Sequence, residues 1–118
     1  MFMFFFSLVF ADISSDLQQA SDSKLEESLR QDAFSRLVRE GNADALPLIA
    51  LAKDTGLDVQ RRWIAIRALG QIGGKKVTKE LKLLLEDKKS EIRIAACAAI
   101  GESRQWSTTD SLLPLLED

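Results

Sequence analysis

At 118 residues the chain has one domain's worth of polypeptide, and its 46% apolar content supplies an ordinary core, which excludes fibrous and disordered classes. It holds no histidine and no tyrosine, so the commonest general base and metal ligand is missing along with a common proton donor, and many enzyme classes go with them. The single cysteine excludes an internal disulfide, and the formal charge of −2 conceals acidic flanks around a basic centre: residues 12–58 carry 5 basic and 10 acidic side chains, residues 59–104 carry 11 and 5, and residues 105–118 carry 0 and 3.

Residues 1–11 read MFMFFFSLVFA, an uncharged apolar run holding five of the six phenylalanines. The run predicts a secretory leader ending at the small residue Ala11, and hence export to the periplasm, cell envelope or exterior. It is far shorter than the roughly 20 apolar residues of a membrane-spanning helix. The competing reading is an apolar segment that packs on the first hairpin, or lies at a membrane surface, in a cytoplasmic protein. Residues 12–22, rich in Ser, Asp and Gln, predict a polar linker, with the folded domain running from 23 to 118.

Leu25, Leu29, Phe34, Leu37 and Val38 mark a first amphipathic helix that ends at Gly41 as its C-cap. Ala45, Leu48, Ile49 and Ala52 form the stripe of a second, with Pro47 in its first turn, where a missing amide proton costs little. Thr55 and Gly56 break the pattern before a third helix starting near Asp58. Val77, Leu81, Leu84 and Leu85 recur at i, i+4, i+7, i+8 and predict a fourth. After the charged link 86–90, in which Ser90 is placed to cap, Ile92, Ala96, Ala99 and Ile100 repeat the spacing in a fifth. Gly70 and Gly101 are expected to end their helices, and Gly73 and Gly74, followed by Lys75 and Lys76, to form a turn.

Residues 62–87 superpose on 93–118 at an offset of 31: Arg62 falls on Arg93, Ala65 on Ala96, Ala68 on Ala99 and Gly70 on Gly101. Further on, Leu81 falls on Leu112, Leu84 on Leu115, Leu85 on Leu116 and Asp87 on Asp118, which predicts a sixth helix near the end. Short links force neighbouring helices antiparallel, and no hairpin can cover its own apolar faces, so the expected fold is an all-α solenoid of about three hairpins, divided 23–54, 55–87 and 88–118.

The run Ile92, Arg93, Ala96, Ala99, Ile100, Gly101, with its copy Arg62, Ala65, Ala68, Leu69, Gly70, resembles HEAT-like repeats, in particular the roughly 30-residue variety named after the phycobilin lyases. The copy departs at Arg61, where an aliphatic residue is usual, and the segment from Glu102 to Trp106 replaces the family's Ile-Gly and acidic turn, predicting an atypical final loop. The resemblance implies an α-α superhelix. It also implies that Arg62 and Arg93 tie layers together by pairing with a loop acid such as Asp87, and that the second helices line the concave surface.

On that surface the candidate partner-binding residues are Gln60, Trp63 and Arg67, with Ile94 and Ala98 at the matching positions of the next repeat. An exposed Trp beside an Arg makes a binding anchor; the other reading has the N-terminal helix or leader covering Trp63. Cys97, between alanines, is expected as a buried core thiol. No catalytic residue, cofactor or metal ligand is predicted. The leading function is a non-catalytic protein-interaction or scaffold module. The alternatives are nucleic-acid binding through Arg61, Arg62, Arg67, Lys75, Lys76, Lys79 and Lys82, or an accessory role in a lyase-like enzyme. A repeat in register with the end of the chain predicts end-to-end self-association or a longer array.

Overall fold

In a computed structural model, residues 13–107 are described, and they are entirely helical between short turns. The helices are α1 (residues 13–21), α2 (Glu27–Ala43), α3 (Leu46–Lys53), α4 (Val59–Ile72), α5 (Lys75–Leu84) and α6 (Ser90–Ser107). The expected leader at 1–11 and the expected helix through Leu112, Leu115 and Leu116 lie outside the described residues.

The first departure from expectation is α1. The segment read as a polar linker is a helix whose Ile13, Leu17 and Ala20 are buried in the core. These three recur at i, i+4 and i+7, which puts them on one face despite the polar residues between them. Arg36 of α2 holds α1 in place, its Nε donating to Asp16 Oδ1 at 2.9 Å and its Nη2 to Gln19 Oε1 at 3.0 Å.

The extra helix shifts the phase of the repeats. The hairpins are α1/α2, α3/α4 and α5/α6, not the divisions 23–54, 55–87 and 88–118, because α2 finds its partner upstream and α4 packs far more closely on α3 than on α5. The second helices α2, α4 and α6 form one layer, with α4 between its neighbours, and α3 and α5 meet in the other. Each hairpin turn carries the same device: Asp22, Asp54 and Asp87 each accept, through Oδ1, the backbone N–H two residues on, at 2.9, 2.9 and 3.0 Å. This Asx-type bond gives the chain its turn after α1, α3 and α5.

The second helices repeat as well. Arg30, Ala33 and Leu37 of α2 stand 32 positions before Arg62, Ala65 and Leu69 of α4, and both Ala–Leu pairs are buried. Ile92 and Leu81, on which the solenoid reading depends, are fully buried, as are Leu48, Ile66 and Leu69. Each such side chain contributes roughly 1.5–3 kcal/mol on leaving water. Leu29, expected on the apolar stripe of α2, is instead half exposed.

None of the three glycines expected to stop a helix does so. α2 runs through Gly41 to Ala43, α4 through Gly70 to Ile72 and α6 through Gly101 to Ser107, so the predicted loop from Glu102 to Trp106 is helical. Gly41 is buried, and a Cβ there would meet the terminal methyl of Ile72, a movable side-chain end. The true break after α4 is Gly73–Gly74, both at positive φ (71° and 96°), where only glycine is unstrained. Asp58 caps α4 by accepting from the Arg61 N–H at 2.8 Å. Ser90 does not cap α6: its hydroxyl donates to Glu91 Oε1 at 2.8 Å.

The expected tie between layers is present in α4. Arg62, 1% exposed, donates from Nε to the carbonyl of Ala52 at 3.0 Å and from Nη2 to Asp87 Oδ2 at 2.6 Å. It thereby joins the end of α3 to the turn after α5. Arg93 does not pair with the Asp87 carboxylate. Its Nη1 donates to the backbone carbonyls of Asp87 and Lys88 at 2.7 and 3.1 Å, because it lies on the far side of that turn and reaches back to it.

Candidate protein-binding surface

The layer of second helices has a groove of about 400 Å³ between α2 and α4. Its walls are Glu27, Arg30, Gln31 and Phe34 from α2 and Gln60, Trp63, Ile64 and Arg67 from α4, with Ala20 of α1 behind them. Spacing of three and four residues puts Gln60, Trp63 and Arg67 on one face of α4, and the same spacing puts Glu27, Arg30, Gln31 and Phe34 on the facing side of α2.

Arg67 is the centre of this arrangement. Its guanidinium carbon lies 5.5 Å from the centre of the Phe34 ring and 5.2 Å from that of Trp63, so one cation bridges two aromatic faces. Contacts of this kind are worth about 0.5–2 kcal/mol each, depending on exposure. They hold the Trp63 side chain against α2 while leaving it 37% exposed, so α1 does not cover it. Among the described residues neither Arg67 nor Arg30 has an ion-pair partner, and Arg30 Nε is buried without a hydrogen-bond acceptor.

A shallower hollow adjoins the groove on its other side, between Val59, Gln60 and Trp63 and the start of α6 at Glu91. The Glu91 carboxyl is held below the usual range by its own backbone N–H, then by the Ser90 hydroxyl, as suits a first-turn acid.

The structure therefore brings Gln60, Trp63 and Arg67 together and adds Arg30 and Phe34, which sequence reasoning did not place at the site. At an offset of 32, Arg30 falls on Arg62 and Phe34 on Ile66; that register points Arg30 to an interlayer tie like that of Arg62, so the sequence pattern alone does not assign it to the groove. Ile94 and Ala98 lie one helix away, exposed and outside the groove. Between α4 and α6 the helices close up where Gly70 lets Ala99 come into backbone contact, and the shallow hollow at Glu91 lies at the other end of α4. Arg62 and Asp87 lie in the interior between layers, away from this surface.

Cys97 is exposed, not buried as expected. It is the register mate of Ile66, which is fully buried; on α6 the corresponding side has no further layer among the described residues.

The basic set considered for nucleic acid is dispersed. Arg62 is internal, Arg61 sits 3.8 Å from Asp58, and Lys75, Lys76, Lys79 and Lys82 belong to α5, in the other layer of helices. Among the described residues no group of three acidic or thiol side chains could hold a metal ion, and no helix is long and apolar enough to cross a membrane.

A family model described as HEAT repeats matches residues 45–118, more than half of the chain. The chain belongs to the HEAT-repeat family. The matched region covers α3 to α6, while α1 and the whole of α2 precede it as a further helical hairpin. Comparison with curated proteins and with solved structures finds no match. HEAT repeats as a family serve generally as protein-interaction or scaffold modules and not as catalysts, and the surface they use is built from helices in series.

Proposed function

We propose that this HEAT-repeat chain is a non-catalytic protein-binding module whose recognition surface is the α2/α4 groove around Trp63 and Arg67. The observation that carries the reading is the half-exposed indole held by Arg67 against Phe34, an aromatic and arginine anchor seated in a groove. Rigid helices on both sides fix that anchor before a partner arrives, which lowers the ordering cost of association. Within the family we read the repeats as the short variety, on the pattern from Arg62 to Gly101. The leader pattern at 1–11 supports export as the setting in which the module works, and the mass of the mature N-terminus tests that part.

A photo-crosslinking residue at position 60 tests the binding surface. A discrete protein adduct is expected from position 60 and not from position 76 on α5, and it disappears in Trp63→Ala/Arg67→Glu with helicity unchanged. An adduct that persists in the double variant refutes the groove as the binding surface.

A further inference from the structure

Two guanidinium groups face the groove, and the described residues supply no anion for either. Arg67 meets aromatic rings on two sides. Ring contacts engage its positive charge but satisfy none of its five N–H donors. Arg30 is more telling. Its register mate Arg62 uses Nε on the Ala52 carbonyl and Nη2 on the Asp87 carboxylate. In Arg30 the Nε is sealed from water with no acceptor, and the side chain lines the groove instead of tying two repeats. Among the described residues, an arginine at the structural position thus has no carboxylate partner.

Resting on the reading of the groove as a protein-binding surface, we infer that its occupant is an acidic peptide, with a carboxylate docked by Arg30 and Arg67 and a neighbouring apolar side chain laid on Trp63. A planar two-oxygen acceptor matches the guanidinium fork. The one acid in the groove, Glu27, accepts from Gln31 at 3.3 Å, so the two arginines outweigh it. On the far side of Trp63, Glu91 repels an anion and confines it to the side of α2. A phosphodiester chain suits the site less well. It needs a track of cations, whereas Arg62 is internal, the lysines of α5 lie in the other layer, and Glu27 and Glu91 flank the two arginines.

The test follows the Trp63 indole and Arg67 side-chain N–H signals of the full ¹⁵N-labelled chain, with the indole assigned through Trp106→Phe. Three heptapeptides are titrated, alternating leucine with glutamate, glutamine or lysine. The glutamate peptide is expected to shift both signals saturably and to bind at least about tenfold more tightly than the glutamine peptide. Arg67→Gln should abolish that preference, and Trp63→Ala should weaken both peptides equally. Equal binding of the glutamate and glutamine peptides, a preference for lysine, or displacement of the glutamate peptide by a short oligothymidine at physiological salt overturns the inference. None of these results touches the protein-binding reading, which fails separately if position 60 crosslinks to nothing. Should Arg67→Gln unfold, the peptide series on the unaltered chain decides by itself.

Discussion

Gly70 of α4 faces the backbone of Ala99 of α6 so closely that a Cβ on it would lie 2.9 Å from the Ala99 Cα and 3.1 Å from its carbonyl oxygen. Gly101, its register mate on α6, would meet nothing within 4 Å. The same position in two copies of the repeat thus carries opposite constraints. Gly70→Ala gains about 1 kcal/mol of helix preference but must push two backbones apart, and a net loss of about 1–3 kcal/mol is expected. Gly101→Ala should gain up to about 1 kcal/mol. Urea midpoints followed by circular dichroism measure both, and shifts in the same direction would sink this account.

The Arg62–Asp87 pair joins the second and third hairpins with almost no contact with water: the side chains are 1% and 12% exposed. Asp87→Ala leaves a buried guanidinium with only the Ala52 carbonyl, and a loss of about 3 kcal/mol or more is expected. The hydrogen bond from Arg62, followed by the Lys89 backbone N–H, holds the Asp87 carboxyl below its ordinary 3.8, although burial acts against them. A depressed folded value means that the contribution is complete above about pH 4 and is lost as the pH falls through that value. The difference in urea midpoint between the unaltered chain and Asp87→Asn should therefore be wide at pH 6 and narrow toward pH 3. A gap independent of pH would assign the loss to packing.

Cys97 is exposed although it stands between alanines, because neighbours in sequence on a helix face different sides. Its alanine flanks resemble core, yet residues 93, 94, 97, 98 and 101 form one exposed side of α6, the side on which α4 receives its neighbour. A thiol reagent should label Cys97 in the native chain within minutes, without denaturant, and Ile66→Cys should resist until unfolding. Protection of Cys97 in the native chain would show that something covers this side of α6.

The helices from α3 to α6 were legible because their stripes recur in one register, and Arg62, Ala65, Ala68 and Leu69 repeat as Arg93, Ala96, Ala99 and Ile100. Trp63 and Arg67 were legible as exposed positions by the 100° rotation per residue. α2 was legible as a helix, but α1 and its pairing with α2 were not, since this hairpin's register differs by one residue and Arg36 stands where Ala68 stands in α4. The groove escaped for a related reason: it is a relation between α2 and α4, and only the packed pair shows that Phe34 and Trp63 share one cation. Glycine misled three times, because Gly41, Gly70 and Gly101 read as stop signals while their helices run through them, and Gly70 serves close approach to the Ala99 backbone.

Leu17 decides whether α1 is part of the fold or a tether ahead of it. It is 1% exposed, with Ile13 and Ala20 beside it on the buried face and the Asp16–Arg36 ion pair closing the edge at 2.9 Å. Were residues 12–22 a solvated linker, Leu17→Ala would be silent. As a core residue of the first hairpin it should cost about 2–5 kcal/mol, and Ser14→Ala on the exposed side of the same helix should fall within about 0.5 kcal/mol of the unaltered chain. Hydrogen exchange gives an independent reading: backbone amides near the end of α1 should exchange as slowly as those of α2, since the two helices pack as one unit. Loss of that protection in Leu17→Ala, with α4 and α6 still protected, would place the first hairpin as a separately melting layer at the edge of the stack. The groove would then lose its α2 wall at the same temperature, and the Trp63 indole signal would report it.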